Sequence, residues 1–497
     1  MGSGVIQLVS YGVQDMYFIH KPTITFFKVL YKRHTNFAIE PMPQLFNTKA
    51  DFGNRVTCTI AKNADLINRI YLIVNLPPIG KFLNIPNESG AGNSNIACCA
   101  WTKNIGYQLI KRIDLEIGGF IIDRHYSDWF NIWYEITVPI TKRAELDAMI
   151  GNVPELYELT NSKQGYLLYI PLLFWFCRFP NLALPLVSLY NTDVNINVEF
   201  NSLDQCLILG PTHYIKILDS ICLFVKGEIL QQTINNIIYY YKFIYFDYHN
   251  NNLYYIKITP EILLQSAIIY SVNNPNYFVT PNTTHTETLY YNLPKYFSHI
   301  INLALGNSFL LVDYVFLDSP ERLKFAKNEN EYLIDVLTYD TEKILYHANN
   351  KIKVNYGQTC KEFIFRCNYN YITSGYILDA FNYTTCIING SNIINTALLL
   401  LNGQERFKQQ SIEYFEYIQS FMYHTTASAV GINIYSFAIE PEKHQPSGYC
   451  NLSKMDDIEI DIIIDKNVSN TRYVTFRIYA VTYNILKINN GIASLVF

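Results

Sequence analysis

Apolar and polar residues alternate along much of the chain, in short runs. Asn195-Ile196-Asn197-Val198-Glu199-Phe200 places its apolar side chains on one face of an extended strand. Similar runs rich in Val, Ile, Tyr and Phe, separated by Gly, Pro and Asn, fill residues 37 to 200 and predict an antiparallel sandwich. The segment 302–334 breaks this rhythm. Its apolar strand, Phe309 to Leu317, stops at Asp318-Ser319-Pro320 and gives way to a charged stretch of helical spacing, Glu321 to Glu331. It reads as a hinge between two halves.

Patterns before the hinge recur after it in the same order. Arg55 to Ile60 followed by Ile70 to Val74 resembles Lys351 to Val354 followed by Glu362 to Arg366. Ile113 to Gly119, with Asp128-Trp129-Phe130 beyond it, resembles Leu398 to Gly403 with Glu413-Tyr414-Phe415 beyond it. Tyr166 to Ile170 and Asp193 to Phe200 parallel Ile432 to Phe437 and Asp457 to Ile462. Each half then closes on a long strand, Phe309 to Leu317 and Val474 to Leu486. Four correspondences in one order predict a duplicated β domain.

The expected division is an N-terminal arm at 1–24, a first β domain at 25–318 and an inter-domain linker at 319–334, with a second β domain at 335–497. Residues 201–301 have no counterpart in the second half. They read as a large insertion with strands of its own, because a structureless loop of that length is improbable. Lys142 to Tyr157 is the main helical candidate and falls where one long loop is expected. The mixed apolar and basic stretch Thr25 to Phe37 suits a solvated strand end, or a surface facing phosphate or an acidic partner.

Composition narrows the function. At 497 residues the chain can bury more than one core. Charged residues make up 16%, while 41 Tyr and 30 Phe bring aromatics to 15%. Such a surface favours repeated protein–protein contact, although an Asn-, Ile-, Tyr- and Lys-rich genome bias produces the same figures. The net charge of −4 and the lack of a long basic run leave counterion release little to act on, so no direct nucleic-acid partner is expected. Ten cysteines without a CxxC pair suggest free thiols buried in strands, suited to a reducing compartment. No secretory signal or myristoylation pattern is expected, since Ile6 stands where the latter needs Ser or Thr. The most apolar run, Tyr166 to Phe179, is too short for a bilayer.

Chemistry is sparse. The histidines make no HExxH or related motif, and no GxSxG, GxxxxGK[ST] or GxGxxG is present. Asp123-Arg124-His125 with Asp128 is the nearest approach to a catalytic cluster, and Arg124 reads better there as an ion-pair partner. The alternation Asp456 to Ile462 suits a cation site, or more simply a strand with an acidic solvent face. N-x-[ST] sequons at Asn87, Asn282, Asn382, Asn389, Asn451 and Asn467 are candidate glycosylation positions, of a kind that arises by chance in an Asn-rich chain. No catalytic residue, cofactor or metal is assigned.

Several landmarks together resemble one known family. They are Ile6-Gln7-Leu8-Val9-Ser10-Tyr11-Gly12-Val13-Gln14-Asp15, Pro22-Thr23-Ile24-Thr25-Phe26-Phe27-Lys28 and Arg33-His34-Thr35-Asn36-Phe37. Leu115-Glu116-Ile117-Gly118-Gly119, His125 to Phe130, Val312 to Asp318, Leu401 to Phe407, Tyr435 to Ala438 and Gln445-Pro446-Ser447-Gly448 extend them. Spanning nearly the whole chain, they resemble the major capsid proteins of nucleocytoplasmic large DNA viruses.

The resemblance implies an all-β double jelly roll, two tandem eight-stranded antiparallel sandwiches with long loop insertions. It implies a non-enzymatic structural protein of the virion, assembled in the host cell cytoplasm. Three copies would form a pseudo-hexagonal homotrimeric capsomer tiling an icosahedral shell, with minor capsid and penton proteins and an internal membrane near the N-terminal arm as partners. The 201–301 segment is longer than in shorter family members. Two alternatives stand beside this reading: a glycan-binding or glycan-processing jelly-roll protein, although no carboxylate pair or metal cluster of suitable spacing is seen, and a minor or penton-related capsid paralogue.

Overall fold

The computed structural model describes residues 3–29, 31–81, 85–86, 93–94, 97–234, 237–248, 250–259, 267–283, 288–289, 300, 302–370, 379–385, 390–466, 468 and 473–497. Two sandwiches follow one another, each built on eight equivalent strands with short extra strands beside them. In the first, the strands are β1 (Phe37–Leu45), β2 (Arg55–Thr59), β3 (Leu66–Leu76), β4 (Ile110–Ile117), β5 (Phe120–Tyr126), β6 (Tyr166–Pro171), β7 (Val194–Phe200) and β8 (Ser308–Leu317). In the second they are β9 (Asn330–Tyr339), β10 (Asn349–Lys353), β11 (Thr359–Tyr369), β12 (Ile394–Leu401), β13 (Gln404–Glu405), β14 (Ile432–Ser436), β15 (Ile458–Ile464) and β16 (Val474–Asn489).

The two sandwiches share one topology. The first pairs its strands as β1-β8-β3-β6 and β2-β7-β4-β5, the second as β9-β16-β11-β14 and β10-β15-β12-β13, so every strand has its counterpart eight places on. All these pairings are antiparallel. This is the jelly-roll order, and it assigns each repeated sequence pattern to equivalent strands. The β4–β5 and β12–β13 hairpins turn on Gly118-Gly119 and Asn402-Gly403, all four residues at positive φ. That is the two-residue hairpin geometry whose twist matches the strands, and only Gly or Asn adopts it cheaply.

Alternation builds the cores. Along β15, Ile458, Ile460, Ile462 and Ile464 are buried while Glu459 and Asp461 point outward. Lys351 and Lys353 on the neighbouring β10 meet Glu459 and Asp457, each at 2.7 Å. The acidic alternation is therefore the outer face of a strand paired with lysines, and among the described residues no group suited to a metal ion occurs.

The hinge forms as its sequence dictates. Asp318 caps helix α2 (Ser319–Lys327) by accepting from the Glu321 amide at 3.1 Å, with Pro320 in the first turn. Strand β9 begins at Asn330, so residues 330–334, expected to end the linker, already belong to the second sandwich. The described residues of 25–36, a segment expected within the first domain, form no strand and are exposed like the arm before them. The sheet starts only at Phe37, the first residue to pair with β8, and the apolar side chains before it, such as Phe26, Phe27 and Val29, stay exposed.

The helical candidate at 142–157 occupies the connection between β5 and β6 as Ile140–Ile150 and Pro154–Tyr157. A further helix, α1 (Ser127–Thr137), precedes it. Its polar residues Asp128, Asn131 and Glu135 fall on one side, yet eight of its eleven residues are buried, Asp128 and Asn131 among them, so the polar stripe faces protein rather than solvent.

Between β7 and β8 the insertion forms a seven-stranded sheet of its own. Tyr239, Tyr241 and Phe243 face its core with Leu253 and Tyr255, while Tyr240 joins the core cluster of the second sandwich. Leu207–Gly210 pairs with Cys98–Trp101, tying the segment to the first sandwich.

Candidate assembly surfaces

Strand β11 shows how one sandwich seats the other. Phe363, Phe365, Cys367 and Tyr369 point into the second sandwich's core. The alternate residues Glu362, Ile364, Arg366 and Asn368 are also buried, although they project from the opposite face. Strand β16 repeats this: Phe476, Ile478 and Ala480 enter the core, whereas Tyr479 and Val481 cluster with residues of the first sandwich. An antiparallel sheet buried on both faces has something packed on its outside.

Helix α1 and strand β5 of the first sandwich provide that covering. Trp129 lies 5.4 Å from Tyr479 between ring centroids, and Tyr126 lies 4.6 Å from Tyr339. The Arg178 guanidinium sits over the Trp133 ring at 4.9 Å. At the centre is Asp128. Its carboxylate accepts from Arg366 Nε at 3.1 Å and Nη2 at 2.6 Å, from Arg477 Nη1 at 3.2 Å, and from the Tyr479 hydroxyl at 2.5 Å. Burial opposes its charge, yet the Arg477 and Arg366 guanidiniums and the Tyr479 hydroxyl hold its carboxyl well below the ordinary range.

Other bonds cross the same junction. Asp123 Oδ1 accepts from the Leu337 amide at 3.1 Å, and Asp335 holds both Lys361 at 3.1 Å and Arg178 at 3.4 Å. Thr426 donates from its amide to the Ile136 carbonyl and from its hydroxyl to that of Val138, both at 3.0 Å. Thr192 donates its hydroxyl to the Gly491 carbonyl.

The Asp123, Arg124, His125 and Asp128 group is thus divided among structural tasks. Arg124 pairs with Asp114 at 2.6 Å, and His125 stacks on Phe174 at 5.0 Å while contacting Asp123 at 3.1 Å. Asp128 turns away to the second sandwich. Its partners Arg366 and Arg477 were missed in the sequence reading. The available signal was a charged residue at alternate positions of otherwise apolar strands.

The surfaces left open are unusually apolar. On the first sandwich, the outward side of β1-β8-β3-β6 carries Phe37, Ile39 and Leu45 on β1 and Leu167 and Tyr169 on β6, all exposed, with Phe309, Leu311 and Tyr71 half-buried between them. Phe325 of α2 covers one end, against Leu66, Val315 and Leu317. Pro41 and Pro43 remove amide donors from the free edge of β1, which blunts it against strand addition.

A second open surface lies between β13 and β14. Here helix α3, a π turn Tyr414–Ile418 running into Gln419–Tyr423, leaves Tyr417, Ile418, Phe421 and Met422 exposed, Phe421 at 84%. The third is the arm. Its short helices Ser3–Val9 and Met16–Ile19 bury nothing, and Leu8, Tyr17, Phe18, Phe26 and Phe27 are almost fully exposed. The Lys32-Arg33-His34 cluster continues this exposed segment.

Of the sequons, Asn87, Asn389 and Asn467 lie outside the described residues. Asn382 accepts from the Thr384 amide at 2.9 Å, Asn451 accepts from the Ser453 amide at 3.1 Å, and Asn282 is half-buried in the insertion. The described cysteines are free, and burial pushes Cys58 and Cys98 up to about 11, leaving them protonated and inert.

Two family models match the chain: "Major capsid protein N-terminus" over residues 25–247 and "Large eukaryotic DNA virus major capsid protein" over 321–494. Probable capsid protein 4 of Acanthamoeba polyphaga mimivirus is 39% identical, over 100% of this chain and 99% of that protein. The major capsid protein of Phaeocystis pouchetii virus is 30% identical over the full length of both. Among solved structures, a chain of the PBCV-1 virus capsid superposes with a TM-score of 0.64 at 22% identity, covering 95% of this chain and all of the other. The Faustovirus major capsid protein gives 0.67 at 13%, covering 96% and 94%. Both likenesses are of fold.

Proposed function

This chain belongs to the family of large eukaryotic DNA virus major capsid proteins, and we propose that three copies of it associate as a pseudo-hexagonal capsomer of the viral shell. Its role in the virion is structural rather than catalytic. The observation that carries the trimeric reading is the repeated strand order of β1–β8 and β9–β16. Two like sandwiches per chain give three chains six like sides, and a block with six like sides packs hexagonally. Outward apolar faces on β1-β8-β3-β6 and α3 supply surface for association, worth roughly 25 cal/mol per Å² of apolar area removed from water.

Within this reading the chain divides into an arm, a first jelly roll carrying the insertion, a linker and a second jelly roll. The arm, with its many exposed apolar side chains, reaches toward minor capsid and penton proteins or an internal membrane. Host cytoplasm is the site of assembly.

Light scattering of the purified chain at several concentrations tests the trimer. A stable species of three times 57.7 kDa is expected. A monomer that persists at the highest soluble concentration would overturn it.

A further inference from the structure

Two cysteines of the second sandwich stand directly opposite one another. The short strand Cys450–Asn451 pairs antiparallel with the start of β11, Thr359 against Asn451 and Cys360 against Cys450. Register partners on neighbouring antiparallel strands carry their side chains on the same face. Both thiols accordingly meet the core of the second sandwich, Cys360 fully buried and Cys450 half-buried, and both are free. Among the described residues no other two cysteines are matched in this way. Cys98 and Cys99, though adjacent in sequence, point into different apolar clusters.

We propose that Cys360 and Cys450 are a latent cross-link, joined as a disulfide when the particle leaves the reducing cytoplasm for an oxidising medium. Directly opposed Cα atoms lie roughly 4.5 to 5.5 Å apart, within the span of about 4.4 to 6.8 Å that a disulfide takes. The segment bearing Cys450 is held to β11 by those two register pairs, so bringing the sulfurs together moves a short strand and leaves β11 in place. The oxidant is a low-molecular-weight disulfide of the glutathione class. Burial raises the pKa of both thiols, and at Cys450 the Arg406 guanidinium opposes it, which makes the more accessible Cys450 the attacking group. Its thiolate attacks one sulfur of the oxidant, that S–S bond breaks, and the released thiolate takes up the proton. The Cys360 thiol, which donates to the Glu362 carbonyl at 3.2 Å, then gives up its proton as its sulfur attacks Cys450, and the second oxidant thiol leaves. Two protein thiols are oxidised while one small disulfide is reduced to two thiols.

The link pins the connection between β14 and β15 to the strand that seats the first sandwich. That connection already meets β11 without covalent bonds: the Phe437 amide donates to the Lys361 carbonyl at 2.8 Å, and the Lys361 ammonium donates to the Lys443 carbonyl at 3.3 Å. A bond from Cys360 to Cys450 closes a loop holding β12, β13, α3 and β14, so it removes freedom chiefly from the unfolded chain. It needs only the fold of the second sandwich and stands apart from the trimeric reading.

The test takes the full chain, purified under reducing conditions, and treats it while folded with oxidised glutathione. Remaining thiols are then alkylated and the peptides mapped by mass spectrometry. One intrachain pair joining Cys360 to Cys450 is expected, lighter by two hydrogens than its separate peptides. The melting temperature should rise by roughly 5 °C on oxidation and fall back when a reductant is added. Cys450→Ser, at a half-buried position, should melt with the reduced wild type and gain nothing from the oxidant. Wild-type chains in which both cysteines are still alkylated after prolonged oxidation would overturn the cross-link. So would Cys450 left carrying glutathione or joined to another chain, or a rise in melting temperature that Cys450→Ser shares.

Discussion

The Asp128 carboxylate receives a 2.6 Å hydrogen bond from Arg366, a residue 238 positions away on the outer face of the second sandwich. With Arg477 bound to the same carboxylate, removing the acid leaves two guanidiniums without their buried partner. Asp128→Ala is expected to cost about 3–5 kcal/mol. Glu342→Ala removes a half-exposed partner of the same arginines and should stay within about 1 kcal/mol. Denaturant melts followed by fluorescence of Trp129 and Trp133, which lie at the junction, check this. Equal costs for the two variants would refute it.

His424 gives the second sandwich a pH dependence. It is buried, with Nε2 3.0 Å from Glu362 and Nδ1 3.0 Å from Glu442. Burial works against its charge, but the two carboxylates prevail and lift its pKa from 6.5 to about 9. Since the folded value lies above the unfolded one, the stabilisation, on the order of 3 kcal/mol, is complete below about pH 6.5 and lost as the pH rises through about 9. Burial likewise opposes the charge of Glu442, while hydrogen bonds from His424 and Thr425 hold it below 4.5, so its share fades as the pH falls through the acidic range. Melting temperatures of the wild type should decline across that alkaline window, and those of His424→Gln should not. Parallel curves would contradict the assignment.

Neighbouring residues on β11 should fail in different ways. Phe365→Ala empties the second sandwich's own core and should cost about 3–5 kcal/mol, exposing amides of β11, β14 and β16 to exchange. Ile364→Ala loosens the seat of the first sandwich. It should cost about 2–5 kcal/mol, with faster exchange concentrated in α1 and β5. Hydrogen exchange read by mass spectrometry separates the two patterns, and identical maps would sink the distinction.

Deleting residues 1–24 removes no buried side chain among the described residues. The truncated chain should keep the wild-type melting temperature and mass in solution, while particle formation in an assembly assay falls sharply. Normal particles from the truncated chain would show that the arm has no part in assembly.

Much of this architecture was visible in the chain. The duplication could be read because several strands have one buried and one more open face, as in Ile458 to Ile464, and because Gly118-Gly119 and Asn402-Gly403 mark equivalent hairpins. The junction could not be read in the same way. Strand β11 alternates, with Glu362, Arg366 and Asn368 in the places of a solvent face, but that face is buried, and the polar side of α1 at Asp128 and Asn131 is buried too. Asp128 was noticed beside His125, its neighbour in sequence, whereas its true partners lie on strands that only the folded chain brings near. The exposed faces of α3 and β1-β8-β3-β6 carry the same residue types as a core, so only structure distinguishes them from one.

A strand with two dry faces also shapes how the protein can change over generations. Along β11 the odd positions answer to one set of neighbours and the even positions to another, so two separate selection pressures are interleaved within eleven residues. A substitution at Phe365 can be compensated from β14 or β16, whereas one at Arg366 must be answered from Asp128, in the other sandwich. The halves of this old duplication are therefore no longer free to drift apart: each has become part of the other's environment.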